Sequence, residues 1–465
     1  MSAARENSNM PYNEKKRITL FTSPTRVITI SFAIVILIGT FLLMLPLSSK
    51  QGVWTPFINS LFTATSATCV TGLVVVDTYT HWSLFGQLII LTLIQIGGLG
   101  LVTFTSFFTV LIGKKIGLRG MQLAQESINA DNIADINAVL KAVVMFAFAA
   151  ELIGAMLLGF QFVPKYGMHG VYISIFLAIS AFCNAGFDIL GFEGQYVSLC
   201  NYNGSPIVIF TITLLIITGG LGFIVWNDLL QYHKTKRLQF HTKVVLAVTS
   251  LLIALGTIMF MALEWNNPKT LQSLPLPQKI AASYFQSVTT RTAGFNTIDI
   301  AGLNGETKLF SSILMFIGAS SGSTGGGIKI TTFAVILMTV ICVIKGKDGT
   351  IIHNRRVPQH IVYKSLAIVA IAITAVGFTT GVIYWSMNKT GNVHGIDAFF
   401  EAVSAFATVG LSVGVSGNAD IPSKAALIAT MFLGRVGPVS FALALAMRGQ
   451  PNKNQIMPEG RIIVG

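Results

Sequence analysis

The sequence predicts an all-α polytopic membrane protein made of four tandem helix–pore loop–helix repeats, arranged pseudo-fourfold around one central pore. Eight transmembrane spans and four re-entrant pore helices make up this architecture. Three observations predict it. The chain is strongly apolar, its basic residues cluster between long apolar segments, and a short motif that ends in glycine and an apolar residue recurs four times.

The composition excludes an ordinary water-soluble fold. Hydrophobic residues occupy 52% of the 465 positions and charged residues only 11%, against about 25% charged in a soluble domain. Several stretches exceed the roughly 20 apolar residues needed to cross a bilayer. Residues 27–47 are one such stretch and carry no charge. We therefore expect a multi-pass protein of the cell membrane.

The net charge of +13 fits a membrane topology better than nucleic-acid binding, so no nucleic acid is expected as a partner. Clusters of Lys and Arg between apolar segments mark cytoplasmic connections. Connections in which acids match or outnumber bases, such as Asp188 with Glu193, are expected outside. This pattern places both termini in the cytoplasm. The basic clusters are Arg5, Lys15, Lys16, Arg17 and Arg26; Lys114, Lys115 and Arg119; Lys234, Lys236, Arg237 and Lys243; Lys345, Lys347, Arg355, Arg356 and Lys364; and Arg448, Lys453 and Arg461.

Each stretch between adjacent basic clusters holds about three apolar runs, and three full spans would put consecutive clusters on opposite sides. The positive-inside rule requires all clusters on the cytoplasmic side. The chain satisfies it if the middle run enters the membrane and returns on the same face, as a pore loop does. The predicted spans are 27–47 and 84–112, 142–163 and 206–232, 244–263 and 309–344, and 365–387 and 425–447. The predicted units are an N-terminal tail (1–26), repeat 1 (27–113), repeat 2 (140–233), repeat 3 with an intramembrane gating loop (243–347), repeat 4 (362–448) and a C-terminal tail (449–465).

The middle runs end in four similar segments, which are SATCVTGL at 66–73, SAFCNAGF at 180–187, VTTRTAGF at 288–295 and SAFATVGL at 404–411. Their glycines, Gly72, Gly186, Gly294 and Gly410, are 114, 108 and 116 residues apart. Near-equal periods of this length indicate one repeated unit. Small residues recur again in each following helix, as QIGGLG at 95–100, ITGGLG at 217–222, STGGGI at 323–328 and LGRVGP at 433–438. They allow close backbone approach or a helix break.

The four segments have the chemistry of a cation filter. Irregular backbone at membrane depth is tolerated only where it is buried or lines water, and carbonyls that converge on one axis satisfy this by binding a cation. Each short pore helix also points the negative end of its dipole at that axis. The candidate ion-binding residues are Thr68, Cys69, Val70, Thr71 and Gly72; Cys183, Asn184, Ala185 and Gly186; Thr290, Thr292, Ala293 and Gly294; and Ala407, Thr408, Val409 and Gly410.

A preference for potassium follows if these oxygens replace the hydration shell of the larger ion, by cavity size or by field strength. The sequence leaves both mechanisms open. Each segment has a single glycine, in contrast to the Thr-Val-Gly-Tyr-Gly filter, so we expect a shorter selective region and weaker discrimination against sodium. The hydroxyls of Thr71, Thr292 and Thr408 either add oxygens to the site or bond their own backbone.

A gate is predicted in repeat 3. Its last apolar stretch, 309–344, has about 36 residues at ~1.5 Å each, which is too long for one straight span. The run GASSGSTGGGIK at 318–329 interrupts it and cannot hold a stable helix. We expect an intramembrane loop that blocks the pore; a packing break without gating is the alternative. The gate candidates are Gly318, Ser320, Gly322, Ser323, Thr324, Gly325, Gly326, Gly327, Lys329 and Arg435.

Three ionisable residues stand out inside apolar segments. Arg435 is a lone cation in the last span, where such a group usually faces an aqueous path or a partner; it is expected to repel potassium and to bond carbonyls of residues 318–327. Arg291 is expected to brace the third segment from behind. Glu151 serves either as a counter-charge or in fold assembly.

Two other functions were weighed. A sodium-coupled transporter of an organic solute also uses repeats and broken helices, though often as an inverted pair. A membrane-embedded enzyme would need a catalytic motif, and neither H-E-x-x-H nor G-x-x-x-x-G-K-[ST] occurs. The four cysteines, Cys69, Cys183, Cys200 and Cys342, lack zinc-ligand or disulfide spacing. Transport without covalent chemistry is therefore favoured.

The motifs TTRTAGF, SGSTGGGIK and FLGRVGP resemble the Ktr/Trk/HKT superfamily of potassium transporters over essentially the whole chain after residue 26. Eight spans resemble membrane subunits of the KtrB type rather than the TrkH type. The resemblance implies that the four glycines belong to the filter, that residues 318–328 form the gating loop and that Arg435 lies in the lower pore. It also implies potassium uptake stimulated by sodium and ATP. A homodimer in the lipid membrane, on an octameric KtrA- or KtrC-like RCK ring that binds nucleotide, is the implied assembly.

Overall fold

The computed structural model describes residues 24–100, 136–388 and 393–437. Most of the two predicted tails and the distal ends of the predicted spans 84–112 and 425–447 lie outside these residues. So do ten members of the basic clusters, which are Arg5, Lys15, Lys16, Arg17, Lys114, Lys115, Arg119, Arg448, Lys453 and Arg461.

The described part is almost entirely helical. Its helices are α1 (Pro24–Met44), α2 (Phe57–Thr68), α3 (Thr78–His81), α4 (Leu84–Leu99), α5 (Ile136–Tyr166), α6 (Met168–Phe182), α7 (Pro206–Leu221), α8 (Phe223–Thr235), α9 (Phe240–Glu264), α10 (Leu276–Thr289), α11 (Gly305–Phe316), α12 (Ile330–Ile344), α13 (Gln359–Met387), α14 (Gly395–Ala407) and α15 (Ile421–Val436). A short antiparallel hairpin, β1 (Ile351–Ile352) with β2 (Arg355–Arg356), lies between α12 and α13.

Four long helices, α1, α5, α9 and α13, are long and apolar enough to cross a membrane. They cover the predicted first spans of the four repeats. Their outward faces carry large exposed apolar side chains, such as Phe41 (62% exposed), Phe160 (72%) and Phe378 (70%). Faces of this kind are stable only against lipid. The chain is therefore a multi-pass membrane protein.

Each long helix is followed by a short helix that lies in the protein interior. These short helices are α2, α6, α10 and α14, and they end just before the four glycine-containing segments. Each has a fully buried phenylalanine, which is Phe62, Phe176, Phe285 or Phe400. The long helices surround them, with α1 against α2, α5 against α6, α9 against α10 and α13 against α14. Burial of these aromatic side chains holds the segments at the centre of the molecule.

The predicted second span of repeat 2 is bent. Helix α7 ends at Leu221 and α8 continues at an angle of 96°, so the predicted stretch 206–232 is helical on both sides of a sharp bend. Gly222 makes this turn with φ of 90°. Residues other than glycine rarely adopt this backbone conformation. Among the described residues, length and apolarity identify four spans, or five if this bent pair counts as one.

The predicted interruption of 309–344 is confirmed. Helix α11 ends at Phe316 and α12 begins at Ile330, so the chain leaves helical structure over 317–329. We call these residues the 317–329 loop. The glycine-rich composition of this run explains the break, since glycine and serine are poor helix formers and their backbone is free to bond elsewhere.

Candidate ion-conduction site

The four segments that follow the short helices share one backbone conformation. In each segment, the residue two positions before the glycine has left-handed backbone dihedrals. The glycine itself also has a positive φ. The pairs are Val70 (φ 54°) with Gly72 (90°), Asn184 (57°) with Gly186 (69°), Thr292 (71°) with Gly294 (86°), and Thr408 (51°) with Gly410 (92°). We call these four stretches the glycine segments. The shared strain at matching positions is the structural counterpart of the sequence repeat.

The backbone N–H groups of the glycine segments point back into the preceding short helices. Thr71 N–H donates to the Ser66 carbonyl (2.8 Å), and Val409 N–H donates to that of Ser404 (2.9 Å). Gly72 N–H also donates to Ser66 Oγ at 3.1 Å. The second segment repeats the first of these bonds from Ala185 to Ser180. The N–H groups of the glycine segments therefore point toward the short helices, and their carbonyls lie on the opposite side of the backbone.

The glycine segments contact one another in a closed cycle. A Cβ atom added at Gly72 would lie 2.5 Å from the Ala185 carbonyl oxygen, one at Gly186 would lie 2.6 Å from that of Ala293, one at Gly294 would lie 2.5 Å from that of Val409, and one at Gly410 would meet that of Thr71. The contacts thus run from the first segment through the second and third to the fourth and back to the first. Any side chain at these positions would push neighbouring carbonyls apart. We call this arrangement the glycine ring.

The carbonyls next to the ring glycines have unused acceptor capacity. Within the described residues, no hydrogen bond ends on the carbonyls of Thr71, Ala185, Ala293 or Val409. A buried carbonyl without a donor is costly in a membrane. A row of such oxygens around a narrow opening fits a partly dehydrated cation and disfavours an anion.

A cavity of about 350 Å³ opens on one side of the glycine ring and contains acidic side chains from three repeats. The four ring glycines form its floor, and Asp77, Asp188 and Asp299 lie in its wall; none of the described lining residues is Lys or Arg. Burial, together with the nearby charge of Asp77, raises the pKa of Asp188 to about 6. A cavity with low-dielectric walls and negative charge concentrates cations next to the ring.

The 317–329 loop lies on the other side of the ring. The cavity is lined by residues that follow the glycines, whereas the loop contacts residues that precede them. Gly326 N–H donates to Thr408 Oγ1 at 3.1 Å, and a Cβ at Gly325 would meet Thr292 Oγ1. The loop therefore contacts the third and fourth glycine segments on the side of the ring away from the cavity.

Hydrogen bonds to backbone carbonyls hold both ends and the middle of the loop. At its base, Gly318 N–H donates to the Ile328 carbonyl (2.8 Å). Farther along, Ser320 N–H donates to the Gly220 carbonyl (3.0 Å), and Thr324 Oγ1 donates to the carbonyl of Phe182 (3.2 Å). Helix α7 and the end of α6 thus support the loop from repeat 2.

Three cationic side chains donate to the carbonyls of the loop. Lys329 Nζ lies 2.6 Å from the Gly325 carbonyl oxygen, and Arg291 Nη2 lies 3.3 Å from that of Gly318. Arg435 donates to the carbonyl of Thr324 and, from α15, to that of Gly97 at the end of α4. The expectation that Arg435 bonds carbonyls of residues 318–327 is confirmed. Arg291 also contacts the loop as expected of a brace.

The threonine hydroxyls predicted at the filter differ in their contacts. Thr71 Oγ1 is buried and has no partner among the described residues, so it is available to the ring. Thr408 Oγ1 is occupied by Gly326 N–H, and Thr292 Oγ1 lies 3.4 Å from the Asn184 amide. Thr290 Oγ1 instead donates to the Ser287 carbonyl (2.8 Å), within its own helix.

The remaining predicted residues take two kinds of position. In the glycine segments, Thr68, Cys69, Val70 and Cys183 are fully buried around the ring, as are Ala185, Ala293, Ala407 and Val409. In the loop, Ser323 Oγ donates to the Ser320 carbonyl at 2.6 Å, and Phe223 N–H donates to that of Gly322 at 3.0 Å. A Cβ at Gly327 would lie 3.1 Å from Ala407 Cα.

Two functional features escaped the sequence analysis. The acidic cavity joins residues from separate repeats, although Asp77 and Asp299 both lie five residues after a ring glycine and this register was visible. Glu401, fully buried in α14, accepts hydrogen bonds from Ser412 Oγ (2.8 Å) and Ser416 N–H (2.9 Å) and so fixes the chain that follows Gly410. Its signal was a lone carboxylate within an apolar pore helix.

Comparison with known proteins decides the family. Residues 3–456 match the family described as TrkH, cation transport protein. The chain belongs to this TrkH family. Its expected place in the Ktr/Trk/HKT superfamily is thereby confirmed.

Relatives of the TrkH-family chain extend over nearly its full length. The Ktr system potassium uptake protein B of Bacillus subtilis is 41% identical over 95% of this chain and 97% of its own. The protein of that name from Vibrio alginolyticus is 38% identical over 95% of this chain and 94% of its own. The potassium/sodium uptake protein NtpJ of Enterococcus hirae is 37% identical over 97% of this chain and 99% of its own. All three are named as uptake proteins, in agreement with the expectation that the chain is not an enzyme.

A solved structure shares the fold. The potassium transporter TrkH from Vibrio parahaemolyticus superposes with a TM-score of 0.67 over 90% of this chain and 85% of its own, at 16% sequence identity. The helical membrane architecture of the TrkH-family chain is therefore that of a known transporter structure.

Proposed function

We propose that this TrkH-family chain takes up potassium ions across the cell membrane through the glycine ring. The observation that carries the proposal is the closed cycle of contacts from Gly72 through Gly186 and Gly294 to Gly410. Carbonyls beside these glycines are unpaired within the described residues and replace the water of a dehydrated cation. The names of the relatives, which include potassium uptake in every case, support potassium as the ion.

The full architecture in this proposal is pseudo-fourfold. Each repeat contributes one long helix, one re-entrant pore helix, one glycine segment and one second span, for eight spans in total. Supporting this, the long helix and short helix recur four times in the same order among the described elements. With the basic clusters inside, both termini are cytoplasmic and the acidic cavity faces outward.

The 317–329 loop is the gate in this proposal. It lies on the side of the ring opposite the acidic cavity and is held by Lys329, Arg291 and Arg435. Arg435 on α15 and the Gly220 carbonyl on α7 both bind the loop, so a movement of either helix would break part of its support. A packing break without gating predicts instead that loss of the loop leaves flux unchanged.

Regulation and assembly follow the Ktr systems in this proposal. The chain forms a homodimer with one pore per subunit and sits on a cytoplasmic KtrA- or KtrC-like RCK ring, which binds the nucleotide. The relatives named as components of a Ktr system support a partner subunit. Sodium stimulates uptake or passes as a second ion, a proposal that the potassium/sodium name of NtpJ supports.

The geometry speaks against an organic solute as the substrate. Neighbouring backbones in the glycine ring approach so closely that a single added Cβ would collide with a carbonyl. A bare ion passes such an opening, whereas a solute with a carbon skeleton does not.

Rubidium uptake into proteoliposomes tests the proposal. The chain is reconstituted with RCK ring subunits of a Ktr system, and uptake is measured with competing potassium or sodium. We expect saturable uptake that potassium blocks more strongly than sodium, together with growth rescue of a potassium-uptake-deficient bacterium at low external potassium. Gly410→Ala should abolish uptake, whereas Gly417→Ala, whose Cβ has open space, should retain it. Wild-type vesicles without ion uptake, or equal uptake by both variants, would reject the proposal.

A further inference from the structure

A buried carboxylate lies behind the second glycine segment and has no part in the proposed conduction path. Glu151 is in the middle of the long helix α5 and is only 4% exposed. An ionisable group inside a span is costly unless it has a specific partner. Its partners therefore indicate why the position holds a glutamate.

Glu151 binds two residues from different elements. Gln95 Nε2, on α4, donates to both carboxylate oxygens, at 3.0 and 3.2 Å. The thiol of Cys183 lies 3.9 Å from Glu151 Oε1 and 3.8 Å from Gln95 Oε1, within hydrogen-bonding range for sulfur. No salt bridge joins Glu151 to Arg435 among the described residues. The geometry therefore shows Glu151 in a hydrogen-bonded network with Gln95 and Cys183 and not as a direct counter-charge of Arg435.

Cys183 belongs to the second glycine segment and lies three residues before Gly186. Its side chain is confined on the side of α4 as well, because a Cβ at Gly98 would lie 2.6 Å from Cys183 Sγ. Glu151, Gln95 and Gly98 thus enclose the thiol. Movement of Cys183 would shift Asn184 and Ala185, whose backbone leads directly into the ring.

The matching position in the third segment is Arg291, which donates to the Gly318 carbonyl of the loop. Both residues lie three before a ring glycine, at Gly294 and Gly186. Both direct a polar side chain onto another structural element rather than into the ring. In the second and third repeats the position therefore anchors the glycine segment, with a different partner in each.

We propose that Glu151 is a positioning residue that, through Gln95 and Cys183, fixes the second quarter of the glycine ring and so contributes to discrimination between potassium and sodium. This inference rests on the proposed function. It assigns selectivity to a residue outside the ring. A shift of one quarter by a fraction of an ångström changes the spacing of oxygens that coordinate the ion.

The experiment compares uptake of rubidium and sodium in reconstituted vesicles and the thermal stability of each protein in detergent. The variants are Glu151→Gln, Glu151→Ala, Cys183→Ser and Cys183→Ala, with Glu306→Gln as the matched loss of a carboxylate at an exposed helix start. We expect Glu151→Ala and Cys183→Ala to lower the rubidium/sodium ratio by about fivefold, with less than additive effects in the double variant because they break one network. Cys183→Ser and Glu151→Gln keep hydrogen-bonding groups and should restore much of the ratio.

The outcomes separate this inference from the proposed function. If wild-type vesicles take up no rubidium, conduction itself is rejected. If wild type conducts but both alanine variants keep the wild-type ratio, the role of Glu151 in selectivity is rejected, even where total uptake or thermal stability falls. Should Glu151→Ala fail to fold, Cys183→Ala carries the same comparison, since it removes a partner of Glu151 with a smaller change.

Discussion

Arg435 of helix α15 donates a hydrogen bond to the carbonyl of Thr324 in the 317–329 loop. The same guanidinium also donates to the carbonyl of Gly97, so one side chain joins the loop to the ends of α4 and α15. Five N–H donors in a planar fork suit this arrangement, which a lysine could not reproduce. In the proposed conduction path, the charge of Arg435 would oppose the passage of a cation.

Replacing Arg435 with Gln should therefore raise ion flux. The substitution removes the positive charge and the bridge, so both the electrostatic barrier and the closed position of the loop are weakened. We expect rubidium uptake to rise about fivefold, equivalent to ~1 kcal/mol. Uptake into proteoliposomes measures the effect. Arg356→Gln, in the exposed hairpin, is the control for loss of one arginine; a stable Arg435→Gln protein with lower uptake would contradict the gate assignment.

Deletion of residues 322–327 should raise flux further. These residues form the part of the loop that contacts the second, third and fourth segments through Thr324, Gly325 and Gly326. Without them the obstruction next to the ring is gone, and uptake should no longer depend on the regulatory ring. Uptake with and without ring subunits measures this. A folded deletion protein with reduced or still ring-dependent uptake would show that the loop is not the gate.

Gly294→Ser should admit sodium more readily. Gly294 has φ of 86°, and an added Cβ would lie 2.5 Å from the Val409 carbonyl oxygen. The third and fourth segments must therefore move apart, which widens the spacing of the coordinating oxygens. We expect the potassium/sodium permeability ratio to fall about tenfold, or ~1.4 kcal/mol. Electrical recording or competitive uptake gives the ratio.

Gly377→Ser is the matched control, because a Cβ at Gly377 in α13 meets nothing within 4 Å. It should leave the permeability ratio unchanged. An unchanged ratio in a stable Gly294→Ser protein would remove Gly294 from the filter.

The sequence predicted the glycine segments because their information is local. Each of the four motifs carries its own turn residues, and the spacing of Gly72, Gly186, Gly294 and Gly410 reveals the repeat. The break before Ile330 was visible for the same reason, since five glycines and four hydroxyl-bearing residues fall in one short run. Local composition is enough to predict these features, because each depends on the backbone conformation of a few consecutive residues.

A helix break at residues 217–222 was one of two alternatives that the sequence left open, the other being close packing, because glycine also occurs inside membrane helices. Its cause is a tertiary contact: a Cβ at Gly222 would lie 2.8 Å from the Ser321 carbonyl oxygen of the loop. Lys329 was predicted only as a gate residue, and its bond to the Gly325 carbonyl depends on how the loop folds back. The acidic cavity likewise exists only once three repeats are assembled.

The acidic cavity should raise the apparent affinity for potassium in a pH-dependent manner. Burial and the charge of Asp77 raise the pKa of Asp188 to about 6. Asp188 is therefore mostly ionised above pH ~6 and mostly neutral below it, so its attraction for a cation is lost as external pH falls through this value. We expect KM for potassium to rise about threefold between pH ~7 and ~5 at low ionic strength, and less at high salt because the field is screened.

Asp188→Asn separates this effect from a general acid inactivation. The variant should have the higher KM already at pH ~7, with little further change on acidification. Asp348→Asn, in the connection between α12 and β1 and far along the chain from the cavity-lining residues, should keep the wild-type pH profile. If Asp188→Asn retains both the wild-type KM and its rise below pH ~6, the carboxylates of the cavity do not concentrate the ion, and the acid sensitivity belongs to another group.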